Sequence, residues 1–274
     1  MPELPEAESI CRALNAALRD RVITRVEVFT PAMRTSLLPL NDAALPGHKI
    51  LGVRRRGRYL FADLDDKRGL LMHFGMSGVV RVEPPSVPKR KHEHVFIHLD
   101  NGRIFRFECT RRFSLLEVCE LPDGHAFPAQ LDKLGVEPLE KDYTPGFLYN
   151  ASRKKKLPVK SFIMDNSIVV GIGNIYANET LFACNIRPDR PAETLSKKEC
   201  GAIVENSVRI LREAIECGGT TISDFLNVDG SEGKFVQKLA IYGKAGTPCP
   251  KCGKIIECVR IGGRSSFFCP GCQK

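Results

Sequence analysis

The sequence predicts an α+β fold, in which one N-terminal helix is followed by an antiparallel β-sandwich or barrel and then by a helical region. Residues 22–118 consist of short runs rich in β-branched residues and phenylalanine, a composition that favours strands. After residue 140 the apolar residues recur at helical spacing. From about Gly243 the chain carries two C-x-x-C pairs. These observations place a sheet first, helices second and a small cysteine module last.

The first predicted helix begins at Pro5, because a proline at the first helical position lacks an N–H that would be unpaired anyway. Five strand-like runs follow, and Asp-Asn-Gly at 100–102 predicts a hairpin turn between two of them. Residues 121–140, rich in proline, glycine and charge, form the predicted linker. Ser196-Lys-Lys-Glu199 is a capping-box pattern that begins a long amphipathic helix, and Gly218-Gly219 ends it.

The chain carries 41 Lys and Arg residues against 32 Asp and Glu residues, a formal net charge of +9. An excess of this size attracts polyanions through counterion release, and nucleic acid is the obvious candidate. Hydrophobic residues make up 43% of the chain, so a disordered protein is excluded. No apolar run reaches the roughly 20 residues that a membrane helix needs, and the N-terminus has no apolar signal-peptide core. We therefore expect a cytosolic protein.

Four cysteines near the C-terminus form two C-x-x-C pairs separated by 16 residues: Cys249, Cys252, Cys269 and Cys272. Each pair can form a turn that offers two thiolates, and four thiolates complete a closed tetrahedral Zn²⁺ site without an open position for chemistry. A redox or disulfide pair is the alternative, but the doubled motif and a cytosolic setting favour zinc. Because so short a segment has no hydrophobic core, we expect one structural zinc ion to hold it folded.

Pro2, Glu3 and Glu6 stand at the extreme start of the chain. Methionine before proline is normally removed, which would leave Pro2 with a free secondary amine. The reference pKa of an α-amine is about 7.7–8.0, against about 10.4 for lysine, so a larger fraction is nucleophilic at neutral pH. Such an amine can attack a sugar C1′ and form an iminium while two nearby carboxylates transfer protons. The alternative is that these residues only begin a helix, whose dipole favours acids in its first turn.

Six motifs follow one another along the chain: MPELPE-x-E at the start, GMSG at 75–78, RRF at 111–113, GIGNIYANE at 171–179, GGTT at 218–221 and GRSS before the last cysteine pair. In this order they resemble the formamidopyrimidine-DNA glycosylases of the helix–two-turn–helix superfamily. The resemblance implies an eight-stranded β-sandwich joined to a helical domain with a zinc finger, gripping double-stranded DNA that contains oxidised bases or abasic sites. The implied domains are a catalytic β-sandwich (1–130), a helix–two-turn–helix domain (131–242) and a zinc finger (243–274).

The resemblance also implies roles for individual residues near the N-terminus. Pro2 matches the family's nucleophile, Glu3 its general acid/base, and Glu6 the acid that supports them. It further implies that three residues fill the hole left by an everted nucleotide: Met76, Arg111 and Phe113. Arg111 would pair with the orphaned cytosine, and an apolar wedge would offset the cost of unstacking. Without the resemblance, Met76 and Phe113 would be interpreted as core residues.

Asn174 follows two glycines and begins a predicted helix whose free N–H groups can bind a phosphate. From the sequence alone, a mononucleotide loop is the alternative. The resemblance implies DNA-backbone contacts for Asn174, Lys160 and Arg264. It also extends to His73, although an isolated histidine near a strand is more often structural.

Arg58 is the one departure from the family pattern, which usually has a lysine that reaches the DNA backbone at this position. Arginine keeps the charge, but its planar fork is not interchangeable with an ammonium. We assign Arg58 to the catalytic group as a DNA contact and leave lesion preference open. Residues 218–235 resemble the family's flexible loop that closes over the damaged base.

The resulting functional hypothesis is a bifunctional DNA glycosylase and abasic-site lyase that acts as a monomer on oxidised purines and is associated with the bacterial nucleoid through DNA. Two alternatives stay open. The sister branch that removes oxidised pyrimidines, endonuclease VIII, usually has glycine where this chain has Leu4. A lesion sensor without chemistry would keep the DNA grip but would not need Pro2, Glu3 and Glu6.

Overall fold

The computed structural model describes residues 2–122, 125–220 and 235–274. The described chain divides into two compact units. The first contains the residues up to Asp132 together with 218–220, and the second contains residues 133–217 and 235–274. The division into three domains stays a prediction. In the described part of the chain, no helix has both the length and the apolar character needed to cross a membrane.

Helices and strands follow the predicted order, with strands concentrated in the first half of the chain. The helices are α1 (Leu4–Leu18), α2 (Pro39–Asp42), α3 (Pro145–Ser152), α4 (Val159–Ile163), α5 (Asn174–Ala183) and α6 (Lys197–Glu216), with 3₁₀ turns at Ala129–Leu131, Ala192–Thr194 and Phe235–Lys238. The strands are β1 (Ile23–Val28), β2 (Ile50–Arg56), β3 (Tyr59–Leu64), β4 (Arg68–His73), β5 (Gly78–Glu83), β6 (Glu93–Leu99), β7 (Ile104–Cys109), β8 (Leu115–Glu120), β9 (Glu257–Ile261) and β10 (Arg264–Phe268).

The first unit is a β-sandwich, as expected. One antiparallel sheet has the strand order β1-β6-β7-β5, and the other has the order β2-β3-β4-β8. Apolar side chains from both sheets and from α1 form one core cluster, for example Leu14, Leu60 and Phe107. The predicted turn at 100–102 joins β6 to β7, where Gly102 has a φ of +76° and its N–H donates to the Leu99 carbonyl.

Two connections cross from one sheet to the other and lie side by side. Residues 74–77 join β4 to β5, and residues 110–114 join β7 to β8; we call this pair the double turn. The strand registers bring the two segments together, because His73 pairs with Leu115 and Gly78 pairs with Cys109. Each segment therefore begins and ends beside the other.

Helix α1 begins at Leu4, one residue before the predicted start at Pro5. Glu3 is the N-cap residue and forms a capping box with Glu6, which extends the helix by one position. Pro5 is still tolerated, since the first four N–H groups of a helix have no intrahelical partner. Within the predicted linker 121–140, the structure contains a short 3₁₀ turn.

The second unit combines α3–α6 with the two-stranded ribbon β9–β10. Its longest helix, α6, has the predicted capping box: the Ser196 hydroxyl accepts the Glu199 N–H, and the Glu199 carboxylate accepts the Ser196 N–H. Gly218 and Gly219 have φ values of +74° and +83°, conformations that end a helix and that L side chains rarely adopt. The predicted end of this helix is confirmed.

Candidate active site

The N-terminal residues lie buried at the start of α1. Pro2, Glu3 and Glu6 are all shielded from solvent. The Glu3 N–H donates to Oε2 of Glu6 over 2.8 Å. One carboxylate thus holds the backbone next to Pro2 in place, while the carboxylate of Glu3 lies one residue from it. Two carboxylates beside residue two are the arrangement that acid–base chemistry at this position requires.

Glu6 also contacts a segment more than 200 residues away in sequence. Its Oε1 accepts the N–H of Thr220 over 2.7 Å. A Cβ at Gly219 would lie 3.0 Å from Cγ of Glu6, so a side chain there would crowd the carboxylate. The two carboxylate oxygens of Glu6 therefore each accept a backbone N–H, one from Glu3 and one from Thr220. The GGTT motif is visible in the sequence, but its contact with Glu6 could not be predicted from it.

Arg58 and His73 lie in the same unit. Arg58 is buried in the turn between β2 and β3, and Arg55 stabilises this turn by donating to Gly57 O (3.0 Å) and to Glu8 Oε2 (2.8 Å). The His73 ring packs against Tyr59, with ring centroids 4.7 Å apart. Loss of solvation, together with the positive charges of Arg58 and Arg34, lowers the pKa of His73 to about 4.

His73 is consequently neutral at physiological pH. Its Nδ1 lies 3.2 Å from the Gly75 N–H and accepts it, so the ring hydrogen resides on Nε2. A neutral imidazole with a fixed tautomer offers one N–H donor and carries no charge. This is the state in which a histidine can donate to a phosphate or sugar oxygen without changing the charge balance of the site.

The double turn presents the three residues that were predicted to enter DNA. Met76 is 49% exposed, Phe113 is 56% exposed, and Arg111 is also exposed. The interpretation of Met76 and Phe113 as core residues is thereby excluded. The two apolar side chains project from adjacent backbones, because a Cβ at Gly75 would lie only 2.5 Å from the Phe113 carbonyl oxygen.

The three predicted DNA contacts of the second unit, Lys160, Asn174 and Arg264, lie on or next to elements that pack against the β9–β10 ribbon. Asn174 is the first residue of α5, and its buried Oδ1 has no hydrogen-bond partner among the described residues. Asn178, one turn later, accepts the Phe267 N–H over 2.7 Å and so fixes β10 against α5. Arg264, at the start of β10, is exposed.

Lys160 differs from the other predicted DNA contacts because it is only 1% exposed. Its Nζ donates to Ser265 O and to Ser266 Oγ, both at 2.7 Å. These bonds connect α4 to β10 directly beside Arg264. The described contacts give Lys160 a structural role, and a direct contact with DNA stays a prediction.

The four cysteines of the C-terminal module come together as their spacing predicted. Their Sγ atoms all lie within 4.8 Å of one another. Cys249 Sγ is 3.9 Å from Cys272 Sγ, and Cys252 Sγ is 3.4 Å from Cys269 Sγ. A tetrahedral ion with metal–sulfur bonds of about 2.3 Å requires sulfur–sulfur separations of about 3.8 Å. The four thiols therefore fit a closed structural metal site.

Three consecutive family models match the chain. They are the N-terminal domain of formamidopyrimidine-DNA glycosylase (residues 1–116), its H2TH domain (134–226) and the zinc finger found in FPG and IleRS (246–274). The formamidopyrimidine-DNA glycosylase of Pasteurella multocida is 42% identical over 274 residues, with both chains covered completely.

Solved structures agree along the whole chain. MutM in complex with DNA that contains carbocyclic 8-oxo-G matches with a TM-score of 0.88, at 30% identity and with 100% of each chain covered. The Lactococcus lactis Fpg in complex with DNA that contains an abasic site matches with a TM-score of 0.88, at 28% identity and with 99% of each chain covered. On this evidence, the chain belongs to the formamidopyrimidine-DNA glycosylase family, and it is a DNA-repair glycosylase with abasic-site lyase activity.

Proposed function

We propose that this enzyme excises oxidised purines, 8-oxoguanine and formamidopyrimidines, by forming a Schiff base through Pro2. The observation that carries the proposal is the buried carboxylate pair beside residue two, where Glu6 holds the Glu3 backbone at 2.8 Å. It is supported by the structural neighbours, which contain 8-oxo-G or abasic-site DNA.

In the proposed reaction, the lone pair of the Pro2 nitrogen attacks C1′ of the flipped nucleotide. The N-glycosidic bond breaks, and the base leaves with its bonding electrons and with the proton that the Pro2 nitrogen loses after the attack. Glu3 then protonates O4′ as the sugar ring opens, which gives an iminium between proline and C1′. A secondary amine suits this step, because its iminium forms without a second deprotonation.

Strand cleavage would follow from the same iminium. Loss of a proton from C2′ turns the iminium into an enamine. The enamine then expels the 3′-phosphate as the C3′–O bond breaks, which is β-elimination and leaves a conjugated iminium. In the δ-elimination, loss of the C4′ proton expels the 5′-phosphate as the C5′–O bond breaks, and water then hydrolyses the iminium and releases the sugar remnant from Pro2. The Glu3 carboxylate, formed when Glu3 protonates O4′, can accept these protons.

The double turn would fill the space left by the everted nucleotide. Met76 and Phe113 supply exposed apolar surface that can stack between bases, and Arg111 supplies donors to the edge of the orphaned cytosine. Arg58 would contact the DNA backbone in place of the family's lysine. In the second unit, Asn174 and Arg264 would contact backbone phosphates, with Lys160 fixing the ribbon that carries Arg264.

We propose Zn²⁺ as the structural ion of the four cysteines. Four thiolates at these separations suit a tetrahedral d¹⁰ ion, and zinc is the usual occupant of such closed sites. When bound, zinc would fold the ribbon and take no part in catalysis. A cytoplasmic location and a monomeric state also stay predictions.

The decisive test is covalent trapping of the enzyme on DNA with borohydride. With a duplex that contains 8-oxoguanine, the wild-type enzyme should give one adduct, and a peptide map should place it on Pro2. Pro2→Gly should lose excision while keeping DNA affinity within about threefold, since covalent catalysis and DNA binding use different groups of the protein. The matched control is Pro85→Gly, which removes an exposed proline far from the N-terminus in sequence and should be trapped like the wild type.

Three results would contradict the proposal. Undiminished excision by Pro2→Gly would refute the nucleophile, and absence of any adduct would favour a lesion sensor. Faster excision from a thymine glycol duplex than from an 8-oxoguanine duplex would favour the oxidised-pyrimidine branch. Intact-mass analysis should also show that the active enzyme lacks Met1.

A further inference from the structure

Two serines connect the two halves of the double turn. The Ser114 hydroxyl, which is completely buried, donates to the Phe74 carbonyl over 2.7 Å. In the other direction, Ser77 Oγ accepts the Arg111 N–H over 3.1 Å. Each half therefore contributes one serine that bonds to the backbone of the other half.

The backbones between these bonds are packed without room for side chains. A Cβ at Gly78 would lie 2.4 Å from Ser114 Oγ and 2.5 Å from the Phe74 carbonyl oxygen. Gly75, at a φ of +55°, is equally close to the Phe113 carbonyl. Separations this short exclude any residue larger than glycine at either position without a shift of the backbone.

We propose that Ser77 and Ser114 are positioning residues for base eversion, which fix Met76 and Phe113 as one rigid wedge. The inference rests on the proposed function, in which those two side chains enter the DNA stack. Neither serine would touch the reacting atoms. Their role is to prevent the two turns from separating when bases press against them.

The physical reason is the cost of opening a stacked duplex. Inserting an apolar side chain between bases costs a few kcal/mol per step in unstacking, which contacts with the inserted side chain must offset. A wedge on a loosely held turn would move back before the bases separate. The two hydrogen bonds hold the turns together and so keep Met76 and Phe113 in place against the bases. Loss of either hydrogen bond should therefore slow base eversion and leave the chemical steps unchanged.

The test compares a substrate that needs eversion of a base with one that has no base to evert. Single-turnover rates are measured for Ser77→Ala and Ser114→Ala on an 8-oxoguanine duplex and on an abasic-site duplex. Excision of 8-oxoguanine should slow by about three- to tenfold, the effect of losing one hydrogen bond. Abasic-site cleavage should change by less than about twofold. Ser77→Thr, which keeps the acceptor oxygen on a half-buried side chain, should restore the rate.

The matched control is Ser207→Ala, a buried serine of the second unit whose hydroxyl donates to the Val204 carbonyl. It should lose as much thermal stability as Ser114→Ala but keep both rates. Equal slowing on both substrates, or no slowing on either, would overturn the inference. If the wild type neither excises 8-oxoguanine nor is trapped, the proposed function fails. In that case the inference is tested by the fluorescence of a 2-aminopurine placed beside the lesion. The wild type should unstack this base on binding and raise its fluorescence, whereas Ser77→Ala and Ser114→Ala should raise it less.

Discussion

Three of the predicted site residues have properties that are set by the groups packed around them. Glu6 accepts two backbone N–H groups, Lys160 is bonded to a ribbon, and His73 is kept neutral. All three were identified from the sequence by resemblance, and the acidic residues Glu3 and Glu6 were also identified by their position at the start of the chain. Their hydrogen-bond partners lie up to 214 residues away in sequence, a distance at which no local pattern operates.

We expect Glu6→Gln to destabilise the first unit. The amide keeps one acceptor oxygen, so either the Glu3 N–H or the Thr220 N–H loses its partner at a cost of about 1–3 kcal/mol. Hydrogen exchange should show faster exchange at one of these two amides and a lower free energy of unfolding. Glu216→Gln makes the same charge change at an exposed site and should leave both quantities unchanged; unaltered protection in Glu6→Gln would refute the role assigned to the carboxylate.

The depressed pKa of His73 predicts the direction of one pH effect. The folded pKa is about 4, against 6.5 for an ordinary histidine, so below pH 6.5 the unfolded chain binds a proton that the folded chain does not. This residue therefore lowers stability as the pH falls from 6.5 to 4. Urea unfolding across this range should give a shallower dependence for His73→Asn than for the wild type. An imidazole NMR titration of His73 with a midpoint near 6.5 would contradict the assignment.

Elements form where local sequence and long-range packing agree. The capping box of α6, the hairpin at 100–102 and the glycine pair after α6 follow from local chemistry and were predicted correctly. The five strand-like runs correspond to seven strands, because two long runs are each divided by a turn, Arg56–Tyr59 and Phe74–Gly78. The eighth, β8, was not identified from its composition, since its outer residues are acidic and alternate poorly.

Removal of the α6 capping box should weaken the second unit. Ser196→Ala is expected to cost about 1 kcal/mol, because the Glu199 N–H loses its acceptor. Hydrogen bonds from Arg190 first, and then from Ser196, lower the pKa of Glu199 to about 2, against 4.5 ordinarily. Its contribution is complete above pH 4.5 and is lost as the pH falls toward 2.

Circular dichroism melts between pH 2 and 6 would measure both effects. Glu199→Gln should lose less stability below pH 4.5 than the wild type, because other carboxylates with lowered pKa values, such as Glu83 and Asp189, still contribute to the loss. Lys198→Ala, an exposed neighbour, should behave like the wild type. A melting temperature of Ser196→Ala equal to that of the wild type would exclude the cap as a stabilising element.

At the scale of the whole molecule, the order of sheet, helices and cysteine ribbon could be predicted from composition and periodicity. The exposure of Met76 and Phe113 could not, because an apolar residue between two apolar strands is ordinarily buried. Only the resemblance assigned them to a surface. The predicted loop 218–235 falls largely outside the described residues, so its role in closing over a base stays a prediction.

Loss of the metal should act on DNA binding through the fold of the ribbon. Cys249→Ala leaves three thiolates, so we expect the ion to be lost and DNA affinity to fall by at least about tenfold, since Cys249 and Cys269 are themselves part of the small apolar cluster of this module. Metal content by atomic absorption and fluorescence anisotropy with abasic DNA would measure this. Cys258→Ala, an exposed cysteine outside the cluster, is the control. Metal-free protein with full affinity would exclude a role for the ribbon in holding Arg264.

The bond between Glu6 and Thr220 has a consequence for how the protein can be divided. Residues 218–220 return to the first unit after the chain has built most of the second. A fragment that stops at Asp132 would lack the Thr220 N–H that donates to Oε1 of Glu6, so the start of α1 would lose one of the hydrogen bonds that hold it in place. Chimaeras that exchange halves between relatives at residue 132 would consequently combine Glu6 from one parent with the 218–220 segment from the other. Chimaeras in which the N-terminal residues and residues 218–220 come from the same parent should therefore keep activity more often than chimaeras made with a single crossover at residue 132.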